Sequence, residues 1–232
     1  MNRCRPFSTP SLLITADGSH TLYLQEWDET YHSRHGALTE SLHVFIQHGF
    51  YYPEENPVRI LEVGFGTGLN AWLTAIEAEK SRKKVFYHAF DDYPLDRVVI
   101  ASLNYPSLPH GKGHESFFFR IHEAPWNETV ALSPFFDIQK TLADLTTASL
   151  AGETYHLIYY DAFAPSKQPA LWTEEILKTM YLSLTAGGVL VTYCAKGEVQ
   201  RILRRCGFTV EKLPGPPGGK REMIRAKKEK NS

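Results

Sequence analysis

Two periodicities alternate along this chain. Short runs rich in β-branched and aromatic residues, Arg59 to Val63, Val85 to Phe90, Tyr155 to Tyr160 and Val189 to Tyr193, read as buried strands. Between them, apolar residues recur every three or four positions: Leu69, Trp72, Leu73 and Ile76; Leu95, Val98, Val99 and Ala101; and Val199, Ile202, Leu203 and Cys206. This succession predicts an α/β domain with a mostly parallel sheet. Further strands are expected at Phe117 to Ile121 and Phe135 to Leu142. Helices are expected from Leu145 and over Trp172 to Leu184, the latter stopped by Ala186-Gly187-Gly188.

The ends of the chain read differently. Ser11 to Thr15 and Thr21 to Gln25 flank Ala16-Asp17-Gly18-Ser19, a hairpin signal. A helical stripe of Leu38, Leu42, Phe45 and Ile46 follows and closes near Pro53. We divide the chain into an N-terminal appendage of hairpin and helix, residues 1–50, and a main domain, residues 51–232. Tyr31 to Ala37, between hairpin and helix, suits either a cofactor cover or a plain surface connection. Phe208 to Leu213 and Arg221 to Ala226, around a proline- and glycine-rich loop, predict a terminal antiparallel hairpin.

The chemistry gathers at strand tips. Glu62-Val63-Gly64-Phe65-Gly66-Thr67-Gly68 joins a strand to a helix, and glycines there let the backbone approach a bound nucleotide closely. Their every-second-residue spacing departs from the pyrophosphate-binding fingerprint G-x-G-x-x-G. An acid ahead of them suits a cofactor with no phosphate that carries an amine and hydroxyls, such as S-adenosylmethionine; an unliganded glycine turn is the plainer reading. Asp91, on the order of twenty residues on, stands where a carboxylate can accept ribose hydroxyls, or where an acid simply opens the turn before Pro94. Asp144 suits the adenine amine or a helix cap.

The strand Tyr155 to Tyr160 delivers Asp161-Ala162-Phe163-Ala164-Pro165-Ser166-Lys167-Gln168-Pro169 to the same edge. Asp161 can orient an attacking amine or take its proton. Phe163 or Trp172 can stack on a planar ring, with Tyr31 or Tyr160 as weaker candidates at the amine. Pro165 limits loop freedom. A capped, proline-rich connection is the bland alternative.

With 232 residues, 43% hydrophobic and 22% charged, and a formal net charge of -1, the chain is a globular protein with a weak global field. An anionic partner therefore needs a local basic patch, and Lys196, Arg201, Arg204, Arg205, Lys212, Lys220, Arg221, Arg225, Lys227, Lys228 and Lys230 offer one. Cys4, Cys194 and Cys206 form no metal or disulfide pattern. No metal is expected. No targeting or membrane segment is visible, so a cytoplasmic location is the expectation.

Several segments together resemble the methyltransferase domain of MnmC, a family that modifies the wobble uridine of tRNA. They are Gly64 to Asn70, Phe90-Asp91-Asp92-Tyr93-Pro94-Leu95, Ala143-Asp144-Leu145, Asp161 to Pro169 with Trp172-Thr173, and Gly219-Lys220-Arg221-Glu222-Met223. The resemblance implies a Rossmann-like class I S-adenosylmethionine-dependent methyltransferase with a C-terminal antiparallel hairpin and a small N-terminal β appendage. It implies Gly64, Gly66 and Asp91 at the cofactor, Asp144 near its adenine and Asp161 at the reacting amine, while the glycine turn read by itself adds Glu62 and Gly68 as cofactor candidates. Tyr31, Phe163, Pro165, Lys167, Trp172, Lys220 and Arg221 are expected at the tRNA anticodon loop. Many members carry a flavin-dependent oxidase domain; none is expected here, so upstream enzymes are expected to supply 5-aminomethyl-(2-thio)uridine. Two other readings keep the fold: a polyamine-synthase-like aminopropyltransferase, and a non-catalytic adaptor for RNA or protein.

Overall fold

The computed structural model describes residues 9–230. Strands β1 (Ser11–Ile14), β2 (His20–Leu24) and β3 (Glu29–Thr30) form a small antiparallel sheet. Asp17 closes its first turn: Oδ1 accepts from Ser19 N at 3.0 Å, and Oδ2 accepts from Thr39 N at 2.8 Å, tying the hairpin to helix α1 (Ala37–Ser41). Helix α1 continues without a break into a π-helical stretch, Leu42–Phe50. Val44, Phe45, Ile46 and Phe50 on that stretch lie in the same core cluster as the main sheet. The expected boundary at residue 50 therefore cuts through a packed layer, because these apolar side chains have the main sheet to bury against.

The main sheet has eight strands in the order β10-β11-β9-β8-β4-β5-β7-β6. In chain order come β4 (Val58–Val63), helix α2 (Leu69–Ser81), β5 (Val85–Asp91), α3 (Arg97–Ser102), α4 (Glu115–Glu123), β6 (Thr129–Ser133) and β7 (Phe136–Leu142). Then follow β8 (Tyr155–Tyr160), α5 (Glu174–Ser183), β9 (Leu184–Thr192), α6 (Gly197–Cys206), β10 (Thr209–Pro214) and β11 (Glu222–Lys227). Strands β7, β5, β4, β8 and β9 run parallel, while β11, β10 and β6 are antiparallel additions. One buried cluster joins the π-helical stretch and α2 to the sheet; the other gathers α5 and α6. The chain builds outward from β4 through β5 and β7, then returns to β8 on the other side, so the order reverses at β4. A crevice at the carboxyl ends of strands at such a reversal is where open α/β sheets hold ligands.

Four local expectations are corrected. Phe117 to Ile121 is helical, within α4, because Phe118 and Ile121 are buried one turn apart and Phe118 packs on Trp72 and Tyr105. A run of aromatics favours strand locally, and tertiary packing overrides it. The edge strand β6 went unanticipated. Leu145 opens a turn and not a helix, since Asp144 Oδ1 accepts from Thr146 N at 2.9 Å and closes an Asx turn. Gly187 and Gly188 do not stop α5: that helix ends at Ser183, and both glycines lie inside β9, with Gly187 at φ 86°. Among the described residues no helix is long and apolar enough to cross a membrane. Cys4 lies outside the described residues.

Candidate active site

The glycine turn after β4 forms one wall of a cavity of about 430 Å³. Gly64 has φ 88°, and a Cβ there would stand 2.8 Å from the Asp161 carbonyl oxygen, so only glycine lets the β4 and β8 tips meet so closely. The turn's amides are already engaged. Gly64 N and Phe65 N donate to Phe90 O at 3.1 and 3.2 Å, and Gly66 N donates to Asp91 Oδ2 at 2.8 Å. A phosphate would need those N–H groups free.

Gly64, Gly66, Asp91 and Asp144 line the cavity, with Phe90, Asp92, Tyr93, Ala143 and Leu145 beside them. Asp91 does more than expected: Oδ2 holds Gly66 and Oδ1 accepts from Tyr93 N at 2.8 Å, so it sets the turn's shape. Two expected cofactor ligands lie elsewhere. Gly68 faces His122, whose Nε2 would be 2.8 Å from an added Cβ. Glu62 is fully buried beneath the cavity. Its Oε1 accepts from Asn70 Nδ2 at 3.1 Å, and its Oε2 has no hydrogen-bond partner among the described residues. Burial, then the nearby Asp161 charge, pushes the Glu62 carboxyl well up.

Asp161, at the tip of β8, lines the cavity next to Gly64. Its Oδ2 accepts from the same Asn70 nitrogen at 2.8 Å. Burial and the charge of Glu40 push its carboxyl up to about 8, against the opposing pull of the Asn70 hydrogen bond and Lys220. Glu40, Tyr193 and Lys220 line this end too. The Lys220 ammonium sits 3.7 Å above the centre of the Tyr193 ring, and the Tyr193 hydroxyl donates to Ala162 O at 2.8 Å.

Phe163 and Tyr31 face the cavity as expected, with Trp27 as an unanticipated third aromatic. Tyr31 and Trp27 meet the Phe163 ring edge-on at centroid distances of 5.1 and 5.3 Å. Trp172 is not in the cavity wall: it is buried, and its Nε1 donates to Phe163 O at 2.8 Å, so it props the loop from below. Pro165 and Lys167 are not among the lining residues, which the loop supplies through Ala164, Gln168, Ala170 and Leu171 instead. Tyr160 is buried, and its hydroxyl donates to Leu171 O.

Part of the basic patch is ion-paired. Arg205 meets Glu174, Lys212 meets Glu222, Arg225 and Lys227 meet Glu211, and Lys228 meets Glu153. Lys220 alone of the cluster reaches the cavity, and Arg221 does not. The segment over the glycine turn is anchored by His32, buried and neutral, whose Nε2 shares a hydrogen bond of 2.7 Å with Thr67 Oγ1. Burial holds the His32 imidazole down at about 4.

Sequence reasoning missed Asn70, Glu40, Trp27, Glu29 and Tyr193. Asn70 and Glu40 were hidden inside helical patterns, where polar residues read as solvent-facing.

The lining sets Glu29, Glu40, Asp91, Asp92, Asp144 and Asp161 against Lys220. That wall favours a cationic group bearing an amine and hydroxyls, and the engaged turn amides disfavour a phosphate. The residues fit S-adenosylmethionine. No group of residues that could hold a metal ion occurs among the described residues.

A family profile described as S-adenosyl-L-methionine-dependent methyltransferase matches residues 116–229. The tRNA 5-methylaminomethyl-2-thiouridine biosynthesis bifunctional protein MnmC of Leptospira borgpetersenii serovar Hardjo-bovis is 32% identical over 224 residues, covering 87% of this chain and 32% of that protein. The MnmC protein of Azoarcus sp. is 30% identical over 246 residues, covering 96% of this chain and 36% of its own. The chain thus spans about a third of the length of these relatives. The crystal structure of MNMC2 from Aquifex aeolicus has a TM-score of 0.78 and 25% identity, covering 97% of this chain and 72% of that one.

Proposed function

This chain belongs to the S-adenosyl-L-methionine-dependent methyltransferase family represented in MnmC, with its Rossmann-like class I fold, and from that premise we propose that it methylates tRNA. The acceptor is the primary amine of 5-aminomethyl-(2-thio)uridine at the wobble position, and the product is the 5-methylaminomethyl form. One observation carries this reading: Asp161 and the glycine turn share a single cavity.

Gly64, Gly66, Asp91 and Asp144 hold the cofactor, with Asp92 beside them. When bound, S-adenosylmethionine supplies an electrophilic methyl group on a sulfonium. An alkyl ammonium has no lone pair, so the acceptor must lose a proton before its nitrogen can react. Asp161 takes that proton. Its carboxylate, raised to about 8 by burial and the Glu40 charge, is a stronger base than an ordinary aspartate. That narrows the gap to an amine, which titrates near ~10.4 in lysine. Asn70 fixes Oδ2, and Oδ1 has no hydrogen-bond partner among the described residues. The wobble base, splayed from the anticodon loop, stacks on the wall of Tyr31, Phe163 and Trp27. Closure by that wall excludes water, and the remaining contribution is placement. Enzymes acting earlier on the same tRNA supply the aminomethyl group.

The test is labelled cofactor with tRNA bearing 5-aminomethyluridine, followed by nucleoside mass analysis. The expected result is one labelled methyl on the wobble nucleoside. Transfer from the decarboxylated cofactor to putrescine, with none to tRNA, replaces the reading with aminopropyl transfer. RNA affinity without any transfer makes the chain an adaptor.

A further inference from the structure

Glu40 stands out among the cavity residues. It is 7% exposed, it comes from the short helix α1, and it faces the end of the cavity formed by Asp161, Tyr193, Lys220 and Glu29. Its Oε2 accepts from Ser33 N at 3.0 Å, and Oε1 has no hydrogen-bond partner among the described residues. A carboxyl so placed is costly to bury unless a cation meets it. Lys220 is engaged over the Tyr193 ring and is the one basic side chain, apart from the neutral His32, among the lining residues. Three carboxyl groups, Glu29, Glu40 and Asp161, therefore converge on one ammonium. Room remains for a second positive charge.

We infer that Glu40 is the specificity-determining residue at the acceptor end, receiving the acceptor's ammonium before Asp161 removes its proton and so selecting an amine-bearing nucleoside over a neutral isostere. This deepens the function proposed above and rests on it. The nitrogen is positive as it binds and turns positive again as the methyl group arrives, so the contact serves both states. Loss of the Glu40 charge therefore weakens acceptor binding and, because that charge helps raise the Asp161 carboxyl, also moves the alkaline rise of activity to lower pH.

The experiment compares wild type with Glu40→Gln, whose amide oxygen still accepts from Ser33. It uses tRNA carrying 5-aminomethyluridine as acceptor and tRNA carrying 5-hydroxymethyluridine at the same position as competitor. Expected is a KM for the aminomethyl tRNA raised roughly tenfold or more. The preference over the hydroxymethyl competitor should fall by a similar factor, with cofactor affinity little changed and the alkaline rise of activity moved to lower pH. Glu40→Asp should recover part of the preference, and it decides the matter through the same measurements if Glu40→Gln folds poorly. An unchanged KM overturns the inference. So does an equal loss of cofactor affinity, which would assign Glu40 to the donor end. If wild type itself transfers no methyl to the aminomethyl tRNA, the functional reading falls and takes this inference with it.

Discussion

Asn70 donates from its side-chain nitrogen to Asp161 Oδ2 at 2.8 Å, and the same nitrogen lies 3.1 Å from Glu62 Oε1. One amide thus uses both hydrogens on two carboxyl groups, one in the cavity wall and one sealed beneath it. The hydrogen bond favours ionised Asp161. Asn70→Ala removes that pull, so the alkaline-rising limb of the activity profile should move up by about one to two pH units. Wild type should rise through about pH 8, where Asp161 loses its proton. The pH dependence of kcat/KM in the two proteins checks this.

Asp161 should be a liability for stability. Its folded value, about 8, lies above its ordinary 3.8, so between those limits the native state binds more protons than the unfolded one. Its stabilising contribution is complete below about pH 4 and is lost as pH rises through 8. Asp161→Asn should therefore melt above wild type at pH 9, with the gap closing toward pH 4, while methyl transfer falls by two or more orders of magnitude (on the order of 10²–10⁴ for a lost general base). Melting curves across that range, with cofactor affinity as control, test both halves.

His32 should weaken the fold on the acid side. Its imidazole is held at about 4 against an ordinary 6.5, and His88 and His122 are held at about 4 as well. As pH falls below 6.5 the unfolded chain takes up protons that the folded one refuses, so stability present at neutral pH drains away toward pH 4. His32→Asn should be less stable than wild type at pH 8, and the difference should shrink toward pH 5. Chemical denaturation at several pH values measures the change of slope.

Gly64→Ala should damage both fold and site. The backbone there is left-handed, and the added methyl would meet the Asp161 carbonyl oxygen at 2.8 Å. Strain of about 1–3 kcal/mol is expected, together with a weakened cofactor affinity from the displaced β4 and β8 tips. Calorimetric melting and cofactor titration report the two effects separately.

What the sequence made legible were the residues whose chemistry coincides with a strand end. Gly64, Gly66, Asp91 and Asp161 come at or just after the ends of mostly apolar strands, and a strand that ends at a parallel sheet's carboxyl edge delivers its next residues to the crevice. Glu62 misled because an acid beside glycines reads as a ligand, whereas the side chain at that step lies under the turn, against Asn70 on α2. Glu40 was invisible for the opposite reason. It lies off the stripe of Leu38, Leu42, Phe45 and Ile46, so the pattern assigns it to solvent, whereas in the fold it lines the cavity together with Glu29, Thr30 and Lys220. Trp172 looked like a stacking platform until its indole was found donating to the backbone of Phe163.

The cavity draws Trp27, Tyr31 and Glu40 from near the beginning of the chain and Lys220 from near its end. During synthesis, Trp27, Tyr31 and Glu40 are made long before Lys220 and must wait for it. The contacts that seal the chamber are thus among the most distant in sequence, the kind that form late in folding. A chain made only as far as β10 would offer no enclosed place for methyl transfer, so competence waits for the segment that carries Lys220.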